Sequence, residues 1–308
     1  PSRSSAASDV YKRQIISIGE NISPKTLTFK ELNHRVSSVQ KGLSKLGVKK
    51  GTIVAGFVPN CAETVISMLA VSSLGGVWTS CSPDFGANGV VDRFGQVNPH
   101  ILITSNGYSY NGKLFKLEEK VNGVLESIDS IRHIVEIEYV DIKSNFNHDS
   151  IISFGDILSD EQTQPTFEQL PFDHPLFIMY SSGTTGPPKS IVHSAGGTLI
   201  QHMKEHQLHC DIKAGKSTIF WFTTCGWMMW NWLVSGLSSG STIVLYDGSP
   251  SYPSLERLWN MIDDLNITHF GTSPKFLSAC DSANILPNKF CKFGSLESIL
   301  STGSPLVE

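Results

Sequence analysis

Tyr180-Ser-Ser-Gly-Thr-Thr-Gly-Pro-Pro-Lys189 gathers four hydroxyl side chains (Ser181, Ser182, Thr184, Thr185), two glycines and one lysine within ten positions. Short hydroxyl donors, exposed backbone N–H groups and a single cation are the chemistry that holds a polyphosphate. Gly183 and Gly186 let the backbone come close to a ligand, while Pro187 and Pro188 stiffen the exit toward Lys189. Leu176 to Tyr180 and Ser190 to His193 are short apolar runs rich in β-formers, so the loop joins two strands. A Walker loop needs GxxxxGK[ST] opening a helix; here Gly183, Gly186 and Lys189 are spaced three apart, and that motif is not met. The rival reading is a surface turn rich in Ser, Thr and Gly. A buried-type strand before the loop and Pro-Pro-Lys after it favour phosphate binding.

Outward from the loop, strands and helices alternate. Thr28-x-x-Glu31 reads as a capping box that opens a helix with Phe29, Leu32, Val36, Val39, Leu43 and Leu46 three and four apart, ended by Gly47. Residues 52–58 read as a buried strand, 62–74 as a helix, 77–81 as a strand, 89–97 as a short helix and 100–104 and 131–137 as further strands. After the loop come a helix over 195–209, a Trp-rich strand-turn-helix, a strand over 242–246, a helix over 254–265 and a strand over 268–272. Such βαβ alternation implies an α/β fold of largely parallel sheets flanked by helices. Residues 159–175 turn polar and proline-rich, which marks a linker between a first α/β subdomain, 15–158, and a second, 176–308. Residues 1–14 are rich in Ser and Ala without periodicity; they read as a non-native leader, a translated junction, and are set apart from the fold. A mitochondrial presequence is the rival there, opposed by Asp9 and by the lack of an apolar helical face.

Composition narrows the function classes. A chain of 308 residues with 40% hydrophobic and 17% charged positions buries a sizeable core. A formal net charge of −4 provides no general attraction to nucleic acid or an anionic membrane, so phosphate binding must be local. Cys61, Cys81, Cys210, Cys225, Cys280 and Cys291 show no CxxC pairing and read as reduced thiols of a cytosolic protein. Residues 217–246 and 64–83 carry no charge, but Gly, Ser, Thr and Asn interrupt both, and they read as core segments, not membrane spans.

The ten-residue loop followed by Ser190-Ile-Val-His-Ser-Ala-Gly-Gly197 resembles the ATP-binding signature of the adenylate-forming enzymes, which include acyl-CoA synthetases, firefly luciferases and peptide-synthetase adenylation domains. The His and paired glycines are similar to the short-chain acyl-CoA synthetase branch. Trp221-Phe-Thr-Thr-Cys-Gly-Trp-Met-Met-Trp-Asn-Trp-Leu-Val-Ser-Gly236 and Val244-Leu-Tyr-Asp-Gly-Ser-Pro250 resemble the members of that branch that activate acetoacetate. The resemblance runs from about Ile15 to the last residue and implies the N-terminal part of the adenylate-forming fold, an incomplete large domain. It implies an ATP-dependent acid–thiol ligase that joins acetoacetate to CoA through an acyl-adenylate, with ATP, CoA and Mg²⁺. By resemblance, Ser181, Ser182, Gly183, Thr184, Thr185, Gly186 and Lys189 hold ATP phosphates, and Gly303, Ser304 and Pro305 pack on the adenine. Trp227, Met228 and Met229 line the acyl pocket, Lys113 contacts CoA phosphate, and Gly271-Thr-Ser-Pro274 matches an active-site strand end. The family's magnesium-binding glutamate, ribose-binding aspartate and adenylation lysine match nothing here. The chain therefore reads as a fragment with no catalytic residue or metal ligand of its own.

Other patterns compete with these. His202, His206 and His209 have metal-like spacing, but Met203 stands where an HExxH protease needs Glu, and the preferred reading is a helix near the nucleotide with exposed histidines. His193 reads as structural, and Trp230 and Trp232 as core. Three alternatives to acetoacetate ligation stay open: a synthetase for another short-chain acid such as acetate or propionate, an adenylating enzyme that loads a carrier protein, and a non-catalytic nucleotide-binding module. An apolar pocket separates acids differing by one methylene by only ~1–3 kcal/mol, so strong selection for acetoacetate requires a donor to its 3-keto oxygen. The sequence names no such donor.

Overall fold

Thr28 sets the first helix by reciprocal capping. Its hydroxyl accepts from the Glu31 N–H at 3.2 Å, and the Glu31 carboxylate takes the Thr28 N–H at 2.8 Å. In this computed structural model, which describes residues 12–158, 164–181 and 186–304, that helix follows two strands that the sequence reading largely missed. The order is β1 (Arg13–Gly19), β2 (Ile22–Thr28), α1 (Phe29–Lys45), β3 (Ile53–Phe57), α2 (Ala62–Ser73), β4 (Val77–Cys81), α3 (Ala87–Phe94) and β5 (Ile101–Ser105). Next come β6 (Gly107–Tyr110), β7 (Lys113–Lys116), α4 (Glu118–Leu125), β8 (His133–Ile137) and β9 (Ile151–Ser153). The second half holds β10 (Pro175–Tyr180), β11 (Ser190–Ser194), α5 (Ala195–Lys204), β12 (Thr218–Trp221), α6 (Met228–Ser235) and β13 (Thr242–Asp247). It ends with α7 (Arg257–Leu265), β14 (His269–Thr272), α8 (Pro274–Ser282) and β15 (Ser298–Ser301).

Two sheets form. The first has the order β15-β14-β12-β13-β1-β2, parallel except for β1 against β2. The second has the order β11-β10-β4-β3-β5-β8-β9, parallel except for β10 against β11. The expectation of largely parallel sheets flanked by helices is met. Each sheet draws strands from both sides of residues 159–175, so the division into 15–158 and 176–308 does not coincide with the division into sheets. Arg13 and Gln14, set apart with the leader, are the first residues of β1, where Arg13 pairs with Thr28. Residues 1–11 lie outside the described residues.

Strand alternation builds the layers. Ile15, Ile243 and Leu245 on one face of the first sheet, and Val54, Ile101 and Val135 on one face of the second, share a core with α1, α2 and α6 between them. The alternate positions Ile16, Phe220 and Val244 pack against Leu258, Trp259 and Phe276 of α7 and α8. On the far side of the second sheet, Phe57, Leu102 and Ile134 pack against Val90 and Phe94 of α3 and Val121 and Val124 of α4. The result is helix, sheet, helix, sheet, helix.

Asn60 ties the sheets together at their carboxyl ends. It leaves β3, is 2% exposed and donates its Nδ2 to Thr223 O and Tyr246 O, each at 3.3 Å, while its Oδ1 accepts from Trp230 Nε1 at 2.9 Å. Its backbone N–H donates to Asp247 Oδ1 at 3.0 Å. Ser80, at the end of β4, adds a 2.6 Å bond to Cys225 O. Asn60→Ala therefore strands an indole N–H and two carbonyls in the interior, and we expect a loss of about 3 kcal/mol, read from the denaturant midpoint. Burial pushes the Asp247 carboxyl up to about 7, against the Asn60 N–H and Tyr139 hydroxyl that favour its ionised form. A carboxyl whose folded value is raised contributes stability below the ordinary carboxylate range and loses it as pH climbs to about 7. Melting curves from pH 4 to 8 should therefore fall less steeply for Asp247→Asn than for the unaltered protein.

Candidate functional site

The phosphate-type loop closes the β10–β11 hairpin. The Ser181 N–H donates to Lys189 O at 3.0 Å, and the Lys189 N–H donates to Ser181 Oγ at 2.9 Å. Gln96, just beyond α3, donates its Nε2 to Pro188 O at 2.6 Å and fixes the peptide that precedes Lys189. Lys189 itself is exposed, with Pro188 buried beneath it. Tyr180 leads into the loop from a packed position: the Thr79 hydroxyl bonds to its phenol at 3.0 Å, and burial holds that phenol well above its ordinary pKa. The Arg93 guanidinium lies 4.7 Å from the Phe85 ring centroid and 6.0 Å from that of Tyr180. Ser182, Gly183, Thr184, Thr185 and Pro305, all expected at the nucleotide, lie outside the described residues.

A cavity of about 620 Å³ opens between edge strand β11, helix α5 and the carboxyl ends of β12 and β15. Ligands of open α/β sheets bind at such strand ends. Its apolar wall includes Trp221, Met228, Met229, Trp232 and Leu300. Met228 and Met229, expected at an acyl pocket, both line this cavity. Trp227 does not line the cavity; it caps the start of α6 and is 55% exposed. Trp232, read as core, is buried yet also forms the wall, because it follows Met228 by four positions on α6 and shares its face. That spacing was available in the sequence. Trp221 is reached only by tertiary packing: a Cβ on Gly271 would lie 2.3 Å from its indole, so glycine in β14 is what lets that ring lie flat against the strand.

The histidines depart from expectation. His202 and His206 are buried, not exposed, while His209 stays at the surface. Ser235 Oγ donates to Trp232 O at 2.7 Å, so its bond to His202 Nδ1 at 2.8 Å must take its proton from the imidazole. His206 donates Nε2–H to Trp232 O at 3.1 Å, with its ring edge-on to the Trp232 indole. Burial pushes both down to about 4, with further lowering of His202 by His193 and of His206 by His202. Both are neutral at physiological pH. His193 also lines the cavity and stacks on Phe177 at 5.0 Å between centroids. Among the described residues no three His, Cys, Asp or Glu side chains gather to hold a metal ion.

The remaining expected positions are spread over both strand-end faces. Gly303, at φ 112°, and Ser304 form the exposed turn that follows β15. Ser273 caps α8 through the Phe276 N–H, so Gly271 to Pro274 is a strand end that turns directly into a helix. Lys113 is exposed on the β6–β7 hairpin, whose turn is held by the Glu20 carboxylate through the N–H groups of Asn111 at 2.9 Å and Gly112 at 2.8 Å. A second cavity of about 280 Å³ lies next to that hairpin, between Asp84, Tyr108, Phe222 and Asp247. All six cysteines are free, and burial raises the pKa of each.

The geometry agrees with what the chain is similar to. A family model described as AMP-binding enzyme matches residues 6–308. The acetoacetyl-CoA synthetase of Gallus gallus is 46% identical over 287 residues, 91% of this chain and 43% of the relative. The malonamoyl-CoA synthetase vrtB of Penicillium aethiopicum is 39% identical over 318 residues, 95% of this chain and 43% of the relative. The solved acetoacetyl-CoA synthetase from Streptomyces lividans superposes with a TM-score of 0.92 at 40% identity, over 98% of this chain and 46% of that one. The chain thus spans less than half the length of these relatives. With its two strand-end cavities, hairpin loop and match along nearly all its residues, the chain belongs to the AMP-binding enzyme family.

Proposed function

We propose that the full-length gene product is an ATP-dependent acid–thiol ligase that converts acetoacetate, ATP and CoA to acetoacetyl-CoA, AMP and diphosphate in the cytosol. The observation that carries the reading is the apolar cavity beside β11, walled by Met228, Met229, Trp221 and Trp232, on the strand that leaves the phosphate-type loop. Relatives named for acetoacetyl-CoA and malonamoyl-CoA synthesis support the substrate class, since both names describe a short acyl group with a carbonyl on its third carbon. Six free thiols suit a reducing compartment.

The acid's carboxylate attacks the α-phosphorus of ATP, the bond to the β-phosphate breaks, and pyrophosphate leaves with the electron pair. The CoA thiolate then adds to the carbonyl carbon of the acyl-adenylate and expels AMP. The loop from Ser181 to Lys189 supplies donors and one cation to the charge that gathers on the leaving phosphates. Met228, Met229, Trp221 and Trp232 keep water from the mixed anhydride while the thiol arrives. Gly303 and Ser304 serve the adenine, and exposed Lys113 serves the CoA phosphate beside the second cavity. The resemblance also implies Mg²⁺, and among the described residues no three His, Cys, Asp or Glu side chains gather to hold an ion.

Lys189→Ala should lower acetoacetate-dependent ATP–pyrophosphate exchange by about 10²–10³ in kcat, the usual cost of removing one preorganised donor; an unchanged rate rejects the role. In a panel of acetate, butyrate, 3-hydroxybutyrate, malonamate and acetoacetate, acetoacetate should have the highest kcat/KM, and preference for acetate overturns the substrate. CoA-dependent release of AMP separates a ligase from transfer to a carrier protein. Gly271→Ala drives a methyl group into the Trp221 indole, and we expect the KM for the acid to rise roughly 10-fold through the altered wall.

A further inference from the structure

Glu20 follows β1 of the first sheet, where its N–H donates to Asp247 O at 3.0 Å. The residue is 5% exposed, and its carboxylate reaches across to the turn of the β6–β7 hairpin, which follows β5 of the second sheet. Oε1 accepts from the Asn111 N–H at 2.9 Å and from the Ser249 N–H, and Oε2 accepts from the Gly112 N–H at 2.8 Å. Asn111 and Gly112 both have left-handed backbone, φ 54° and 74°, and Tyr110 pairs with Lys113 on either side of them. The loop is therefore a tight two-residue turn, and its central N–H groups lie outside the strand ladder. The Tyr252 ring lies against Gly112, where a Cβ would come within 2.6 Å of it. A two-stranded ribbon has little stability of its own, and all four residues of β7 are exposed. The base of the ribbon is held by β5 and α4, one residue away on either side, and its turn by the Glu20 carboxylate. Hydrogen bonds to an ionised group are roughly twice as strong as neutral ones, so this anchor fixes where the turn and Lys113 beside it stand.

We propose that Glu20 is a positioning residue for the thioester-forming step, holding the hairpin turn so that the Lys113 ammonium meets the CoA phosphate at a fixed place. The inference rests on the ligase reading above, with Lys113 serving the CoA phosphate, and adds the group that places this lysine. Lys113 is exposed on a flexible stem, so its reach is set by where its backbone stands. A loose turn would have to be ordered each time CoA binds, and that ordering would weaken binding. With the turn bonded to Glu20 in the folded protein, the ordering precedes binding. The larger cavity is walled by β11, α5 and the ends of β12 and β15, whereas the bonds of Glu20 go to Asn111, Gly112, Ser249 and Asp247. The two half-reactions should therefore respond differently to a change at Glu20. Glutamine has nearly the same shape but keeps one acceptor oxygen and sets an N–H donor against a backbone N–H, and two donors repel.

The test uses the full-length gene product and reads the two half-reactions separately. For Glu20→Gln the KM for CoA in acetoacetyl-CoA formation should rise about 10-fold, the worth of one hydrogen bond to a charged group. Acetoacetate-dependent ATP–pyrophosphate exchange, run without CoA, should keep its rate and its KM for acetoacetate. Lys113→Ala should raise the KM for CoA at least as much, and the double variant no further, because Glu20 acts through Lys113. With pantetheine, the same thiol end without phosphates, Glu20→Gln and the unaltered enzyme should have equal kcat/KM. An unchanged KM for CoA in either single variant, additive effects in the double variant, or an equal loss with pantetheine overturns the assignment. So does a parallel loss of exchange and thioester formation in Glu20→Gln, which would make Glu20 a residue of the fold alone. An unaltered enzyme that forms no CoA thioester, with or without exchange, overturns the ligase reading instead.

Discussion

Everything near the strand ends depends on how Asn60 satisfies polar groups that two sheets bring into one dry interior. Thr223 O lies just beyond β12 and Tyr246 O near the end of β13 in one sheet, Asn60 follows β3 of the other, and Trp230 sits in the first turn of α6 between them. Carbonyls at strand ends have no further ladder partner, and burying them unpaired would cost far more than the bonds return. One side chain offers two donors and one acceptor in the orientation required. The turn from Phe222 to Trp227 is thereby pinned between the larger cavity on one side and the smaller on the other.

Close approach does for shape what Asn60 does for polarity. Gly56 lies under the Trp78 indole, where a Cβ would meet ring atoms at 2.7 Å, and Gly271 lies under Trp221 at 2.3 Å. In each case a strand lacking a side chain gives an indole room to lie flat, and in the second case the indole is a cavity wall. Around this wall burial keeps His202 and His206 neutral and the Cys210 thiol protonated, while Glu205, on the same cavity, is held ionised by its hydrogen bond from Lys204.

Much of the architecture was legible along the chain. The Thr28 capping box, the strand at 77–81 and the strand-loop-strand setting of the Ser181 loop followed from local chemistry, because caps and alternation act between near neighbours. β1 was not legible as a whole, because Arg13 and Gln14 continue the aperiodic composition that precedes them and become a strand only by pairing with the neighbouring strands. The helix of histidines was assigned to solvent, since its spacing alone cannot say which face α6 will cover. Trp227 precedes α6 as its cap and is absent from the lining to which Met228 and Trp232 belong, a distinction that adjacency in the sequence does not make.

The sequence by itself determined the fold class and the family resemblance: a hydroxyl-rich loop with one lysine between two strands is local, and so is the Met-Met run that opens α6. Only the tertiary structure decided which groups share the cavity. Ser301, Trp221 and His202 line it from three elements far apart in the chain. Which side chains meet there is decided by packing between elements distant in sequence, and no single stretch of sequence expresses it.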